Sequence, residues 1–231
     1  MSAIASSFIE GLKGRRSIYA LTNESTVPNE RIEGLISEVL QHTPSAFNTQ
    51  TTRIVVLLKE QHEKLWDIAY ETAFAASTPE MFEKLYKPRI AMFRAAYGTV
   101  LFYEDPAPFE ALKTKWPMLV EKFPEWSLQT SGMHQLGVWT LLETEGLGAS
   151  LQHYSPLIDD RVSHEWDIPA AWSLQAQLVF GKPIGPPREK TFEPVEKRLF
   201  VHVLHELPGL DRTPAGLFLE VHEPSDHENI V

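Results

Sequence analysis

The stretch "QHTPSAFNTQTTRIVVLL", residues 41–58, decides how the rest of the chain is read. A helix ends at its start. A polar knot of Pro44, Ser45, Asn48, Thr49 and Gln50 follows, and an apolar run begins at Arg53. "RIVVLL" (53–58) is short and rich in β-branched residues, which predicts a buried strand. Upstream, Ile32, Leu35, Ile36, Val39 and Leu40 recur at the i, i+3, i+4, i+7, i+8 spacing of a helix with one buried face, over residues 29–41. Asn29 is the expected N-cap, and Glu30 suits the first turn. A simple connection from helix to strand needs fewer small polar groups than this one carries. A ligand rich in hydrogen-bonding atoms would use them.

Outward from this stretch, two helices are expected over 61–76 and 79–96, split at Thr78-Pro79, and then a second buried strand in "YGTVLFY" (97–103). Residues 104–126 are broken by Pro106, Pro108, Pro117 and Pro124 and hold Trp116 and Trp126. They read as an irregular, aromatic-rich excursion. A long helix is expected over 127–145, apolar on most sides and so central or interfacial, with Gly146 and Gly148 in its C-terminal turn. "ASLQ" (149–152) reads as a short strand, 157–166 as a helix, and "LQAQLVFG" (174–181) as a third strand. This order predicts an α+β sandwich, helices packed on a sheet of at least three strands. Residues 1–200 form one expected domain, and 201–231 a C-terminal extension whose end is expected to be mobile.

Composition narrows the function. A net charge of −10 disfavours nucleic acid and anionic membrane surfaces as partners. The absence of cysteine excludes disulfides, zinc–thiolate sites and thiol nucleophiles, and fits a cytoplasmic protein. No apolar run reaches the roughly 20 residues of a membrane span. The first twenty residues are Ser-rich, with Lys13, Arg15 and Arg16 against Glu10, a weak likeness to a mitochondrial presequence. The preferred reading is a short helix that packs Ile4, Phe8 and Leu12 inward and ends at Gly14.

Familiar catalytic signatures are missing. "GLGASL" lacks the third glycine of a dinucleotide fingerprint and follows a helix, and there is no phosphate-loop GKS/T and no G-x-S-x-G elbow. His202, His205, His222 and His227 read as solvated histidines rather than metal ligands. Three stretches are informative together: Arg15-Arg16-Ser17, Pro44 to Gln50, and "EGLGASLQH" (145–153) followed by "FGKP" (180–183). Paired arginines suit a phosphate or polyol through forked donors. Ser, Asn and Gln match the donor and acceptor edge of an isoalloxazine ring. Taken singly, each has a plainer reading: Arg15-Arg16 as a solvated turn, Ser45 and Asn48 as turn residues, His153 as a core histidine.

"RRSIYAL", "HTPSAFNTQTTRIVVLL", "TSGMHQLGVWT", "EGLGASLQHYSPLID" and "FGKPIGPP", in this order, resemble the nitroreductase family of flavoproteins over residues 8–200, and its short yeast-type and bacterial branch most closely. The resemblance implies a mostly antiparallel sheet flanked by helices in an intertwined homodimer. It implies FMN as cofactor, NADH or NADPH as co-substrate, and small nitroaromatic or quinone-type acceptors in a ping-pong cycle. The chemistry would lie on the flavin N5 rather than on a catalytic side chain.

Position by position, the resemblance implies FMN contacts from Arg15, Arg16 and Ser17. From the other subunit it implies Pro44, Ser45, Asn48 and Gln50, and along the ring Leu151, Gln152 and His153. Lys197 and Arg198 are the expected phosphate ligands, with Lys182 and Arg188 as rivals. Tyr19 stands where many relatives place a Lys or Arg beside the flavin pyrimidine. Phe109, Trp116 and Trp126 either wall the acceptor pocket or anchor packing. The competing function is a flavin- or lipid-binding, redox-responsive regulator; a cofactor-free scaffold is a third.

Overall fold

The computed structural model describes residues 3–202. The chain divides at Arg188–Glu189. In the first unit, helix α1 (Ala3–Gly14) leads to a two-residue strand β1 (Leu21–Thr22) and helix α2 (Asn29–His42). A short 3-10 turn (Ala46–Asn48) precedes strand β2 (Thr52–Leu58). Helix α3 (Glu60–Ala76) follows. Then α4 (Pro79–Met81), a π-helical turn (Phe82–Tyr86) and α5 (Lys87–Arg94) run on as one helical stretch. Strand β3 (Gly98–Glu104) leads into the excursion, which contains α6 (Glu110–Lys115) between two 3-10 turns. Helix α7 (Phe123–Thr144), strand β4 (Gly148–Gln152), helix α8 (Asp159–Glu165) and strand β5 (Ser173–Pro183) complete it. In the second unit, residues 189–202 carry one 3-10 turn, Val195–Lys197. The expected extension lies outside the described residues except for Val201 and His202.

All five strands pair antiparallel. β3 lies between β2 and β5, and the far side of β5 is shared by β4 and β1. The pleat sends alternate β3 residues to opposite faces. Leu101 and Tyr103 join α3, α5 and α8 through Leu65, Trp66, Phe93 and Ile158. Val100 and Phe102 join α2 and α7 through Ile32, Ile36, Val138 and Leu142. The result is a three-layer sandwich, as the sequence predicts. β1 escapes a sequence reading because two residues carry no period. Its crossing of β5 requires Gly181: a Cβ there would stand 2.3 Å from the Thr22 carbonyl oxygen.

Four expectations change. α1 forms and ends at Gly14, but Ile4 is 82% exposed and Phe8 65%, so its apolar stripe points outward. Amphipathicity shows that a face is apolar, not what covers it. β2 is an edge strand with residues 53–56 only half-buried; the fully buried strand is β3. α2 starts after Pro28, and the Asn29 side chain, instead of capping, accepts the Tyr97 hydroxyl at 2.5 Å. Gly146, at φ +80°, turns the chain out of α7, whereas Gly148 is the first residue of β4, packed on Leu21 and Ile18.

Candidate functional site

The segment after α1 is fixed by α7 and β4. Arg15 lays its guanidinium over the Trp139 ring, 4.5 Å from the centroid. Among the described residues no carboxylate lies within ion-pair distance of that guanidinium. Arg16 donates its backbone N–H to both carboxylate oxygens of Glu143, at 2.8 and 2.7 Å, and its guanidinium to the Arg188 carbonyl. Ser17 bridges Ala149 in parallel, and the Ile18 N–H donates to the Ala149 carbonyl at 2.9 Å. Arg188 in turn lies over the Tyr19 ring at 5.1 Å. Arg15, Arg16, Ser17, Tyr19 and Arg188 therefore form one cluster against the start of β4, the strand that leads to Leu151 and Gln152. His153, just beyond it, is exposed, which rules out the core-histidine reading. Sequence reading misses Glu143 and Trp139, because their roles depend on contacts more than a hundred residues away. The available signal was an acid four residues after a Trp and two before the Glu145 of "EGLG".

Lys182 pairs with Glu24 at 2.7 Å and donates its backbone N–H to the Glu24 carbonyl. That contact holds the Glu24 carboxyl below its usual range. As a phosphate ligand, Lys182 would have to leave this partner. Lys197 and Arg198 are exposed in the second unit, Lys197 3.4 Å from Glu193.

The polar knot is a preformed loop. Phe47, Asn48 and Gln50 adopt φ of +54°, +53° and +50°, a region that costs a bulky residue most. Two devices hold it. The Ser45 hydroxyl accepts the Gln50 N–H at 2.9 Å, and the Phe47 ring packs against Trp116 and Trp126, at centroid distances of 6.3 and 6.0 Å. The side-chain amides of Asn48 and Gln50 are exposed and make no hydrogen bond among the described residues. Pro44 is exposed beside them.

Behind the loop lies a buried polar cluster that the sequence does not announce. The Glu104 carboxylate accepts the hydroxyls of Thr51, Thr52 and Ser127 at 2.6, 2.7 and 2.5 Å. His134 places Nδ1 3.0 Å from the Thr130 carbonyl and 3.2 Å from the Thr52 hydroxyl, so Nδ1 carries its proton. Glu104 also lines a cleft of about 510 Å³ with Phe109, Phe123, Ser127 and Leu128. None of the cofactor residues expected from the sequence lines that cleft. Of the three aromatic residues expected at a pocket wall, Phe109 does; Trp116 and Trp126 brace Phe47 instead.

The two halves stand apart within one chain. Trp126, which holds the loop, and Trp139, which holds Arg15, are both on α7, about 20 Å apart at 1.5 Å per residue.

Known proteins resemble this chain in sequence and in fold. The Nitroreductase family model matches residues 12–182. The nitroreductase FRM2 of Saccharomyces cerevisiae is 36% identical over 190 residues, 80% of this chain and 92% of FRM2. The nitroreductase CinD of Lactococcus lactis, solved with chloramphenicol, superposes with a TM-score of 0.76 at 40% identity, covering 85% of this chain and all of CinD. CinD has also been solved with nicotinic acid and with 4-nitrophenol. A Desulfovibrio desulfuricans protein solved in complex with FMN shares the fold, with a TM-score of 0.60 at 19% identity over 85% of this chain and 97% of that one.

Proposed function

Since the chain belongs to the nitroreductase family and is an oxidoreductase, we propose that it is an FMN-dependent NAD(P)H oxidoreductase acting on small nitroaromatic or quinone-type acceptors. The observation that carries this reading is the Arg15 guanidinium, held against Trp139 beside a second arginine, with no carboxylate partner among the described residues. An unpaired, oriented guanidinium suits a phosphate monoester. The donor set therefore fits FMN. Bound FMN would supply the hydride and electron chemistry between nicotinamide and acceptor.

The chain's own residues bind and orient. Arg15 and Arg16 hold the phosphate and polyol. Ser17, pinned to β4, aligns Leu151 and Gln152 along the ring, with His153 at the strand's open end. Arg188 brings a guanidinium to the Tyr19 position, where many relatives carry a cation. Asn48 and Gln50 offer unused amides to ring heteroatoms. The Phe47 ring, with Trp116 and Trp126 behind it, gives planar acceptors an aromatic wall. Because donor and acceptor need the same face, the donor leaves before the acceptor enters, which makes the cycle ping-pong.

This reading requires two copies of the chain. Trp126 beside the loop and Trp139 beside the arginine pair lie about 20 Å apart along α7, and in this reading the loop that meets the ring comes from the partner copy. The outward Ile4, Phe8 and Leu12 of α1 and the exposed Leu128, Met133 and Leu136 of α7 supply apolar surface for a homodimer.

An anaerobic visible spectrum of the FMN-reconstituted protein tests the reading. The flavin bands are expected to bleach on adding NADH or NADPH and to return with a quinone. A flavin that stays oxidised with both nucleotides would favour the regulator, and failure to take up FMN would end the cofactor assignment. In the same assay Asn48→Ala is expected to retain FMN about tenfold less tightly, from the loss of one buried hydrogen bond of about 1–1.5 kcal/mol. Undiminished retention would place the loop away from the ring.

A further inference from the structure

Trp139 and Glu143 are four residues apart on α7, a spacing that puts both on one helix face. They hold two successive residues of the segment after α1. Trp139 carries the Arg15 guanidinium, and Glu143 receives the Arg16 backbone N–H through both carboxylate oxygens. No other side-chain carboxylate among the described residues hydrogen-bonds this segment. Glu145, two residues on, is engaged with Arg31 of α2 at 2.9 Å, and Lys13 is paired with Glu10. The charges that act on Glu143 are those of Arg15 and Arg16. Arg188, from beyond β5, meets Arg16 only through its carbonyl.

We propose that Glu143 is a positioning residue: it holds the arginine segment by the Arg16 backbone N–H, and it takes up a solvent proton when a phosphate-type dianion binds Arg15 and Arg16. The inference rests on reading the arginine segment as the phosphate end of the cofactor site. It concerns only this chain's carboxyl and the oxyanion.

A dianion brought to the pair joins the carboxylate in the field of the same two arginine charges, and like charges in one site disfavour double ionisation. Protonation relieves the repulsion without breaking the clamp, because a neutral carboxyl keeps one oxygen to accept the Arg16 N–H. Glu143 is already poised for this. Burial pushes its carboxyl up to about 7, against the opposing pull of the Arg16 N–H and the two arginine charges. Linkage then runs both ways: the anion raises the affinity for the proton, and the proton raises the affinity for the anion.

Sulfate is the probe, because it remains a dianion from pH 6 to 8 and contributes no titration of its own. Calorimetric titration of the full-length apo-protein is expected to show sulfate binding about tenfold tighter at pH 6 than at pH 8, the gain for one group titrating near 7. Repeating the titration at pH 7 in two buffers of different ionisation enthalpy reads the proton uptake directly, with no substitution. Glu143→Gln, which keeps an oxygen for the Arg16 N–H, is expected to bind sulfate at pH 8 at least as tightly as the wild type, and with no pH slope. A flat wild-type profile, no sulfate binding, or an unchanged slope in Glu143→Gln would overturn the proposal. FMN titrated in parallel separates the two readings. Sulfate linkage without FMN uptake would remove the cofactor assignment and leave Glu143 its role; FMN uptake without linkage would do the reverse.

Discussion

Glu104→Ala is expected to lower the unfolding free energy by about 3–5 kcal/mol and to loosen the aromatic-braced loop at the same time. The carboxylate ends β3, is 4% exposed, and is the shared acceptor of three hydroxyls. Thr51 and Thr52 come from the mouth of β2 and Ser127 from α7, so one side chain ties two strands to the helix. Removing it leaves three buried donors without their acceptor, at about 1–3 kcal/mol each before relaxation. Water entering from the adjacent 510 Å³ cleft recovers part of that cost. Glu104→Gln keeps the shape and one accepting oxygen and is expected to cost about half as much. Denaturant unfolding of both variants checks the order. An alanine variant within about 0.5 kcal/mol of wild type would show that the three hydroxyls find other partners.

The second large effect is a dependence of stability on pH that arises far from the arginine pair. His62, on α3, is fully buried. The Thr99 hydroxyl accepts the Trp66 indole N–H at 3.1 Å and lies 2.8 Å from His62 Nδ1. Thr99 thus donates to Nδ1, and the ring proton sits on Nε2, facing the carbonyls of Phe93 and Arg94 without completing a hydrogen bond. Burial pulls the imidazole down to about 4, and the Arg94 charge adds to that pull. Between roughly pH 6.5 and 4 the unfolded chain therefore binds a proton that the folded chain does not, so stability falls as the pH falls through that window. The full loss is about 3.5 kcal/mol, from a displacement of about 2.5 pH units at about 1.4 kcal/mol each. His62→Gln is expected to flatten the profile by up to one proton. Unfolding measured at fixed protein concentration from pH 7 to 4.5 decides it; equal slopes in wild type and variant would exclude His62 as the source.

What the sequence shows and what it hides follow a physical division. The α2 stripe, the apolar run of β3 and the break at Thr78-Pro79 are local patterns, and the structure reproduces each except at Leu40, which ends the α2 stripe and is exposed. The polar knot at 44–50 is visible because so many hydrogen-bonding side chains exceed what a turn needs. Its aromatic clamp is hidden, because Trp116 and Trp126 reach Phe47 across some seventy residues of chain. Ile4, Phe8 and Leu12 show the same limit: their spacing makes the helix, but nothing local says that they face outward. Glu143 and Glu104 read as ordinary acids. Each acquires its part only when a distant backbone N–H or hydroxyl arrives.

The open side of β2 bears on how the protein is handled. Among the described residues no strand pairs with its outer side, where the Thr52 carbonyl accepts the Arg53 guanidinium at 3.0 Å, and Ile54, Val55 and Val56 stand half-covered along it. Such an edge is a template for adding further strands from other molecules. Arg53 at one end and Lys59 at the other, the latter turned away at φ +51°, frame it with charge. The chain's net charge of −10 keeps molecules apart over longer range. Salt shortens that range to about 8 Å at physiological strength. Shelf life in concentrated, high-salt stocks, rather than melting temperature, is where this edge will be felt.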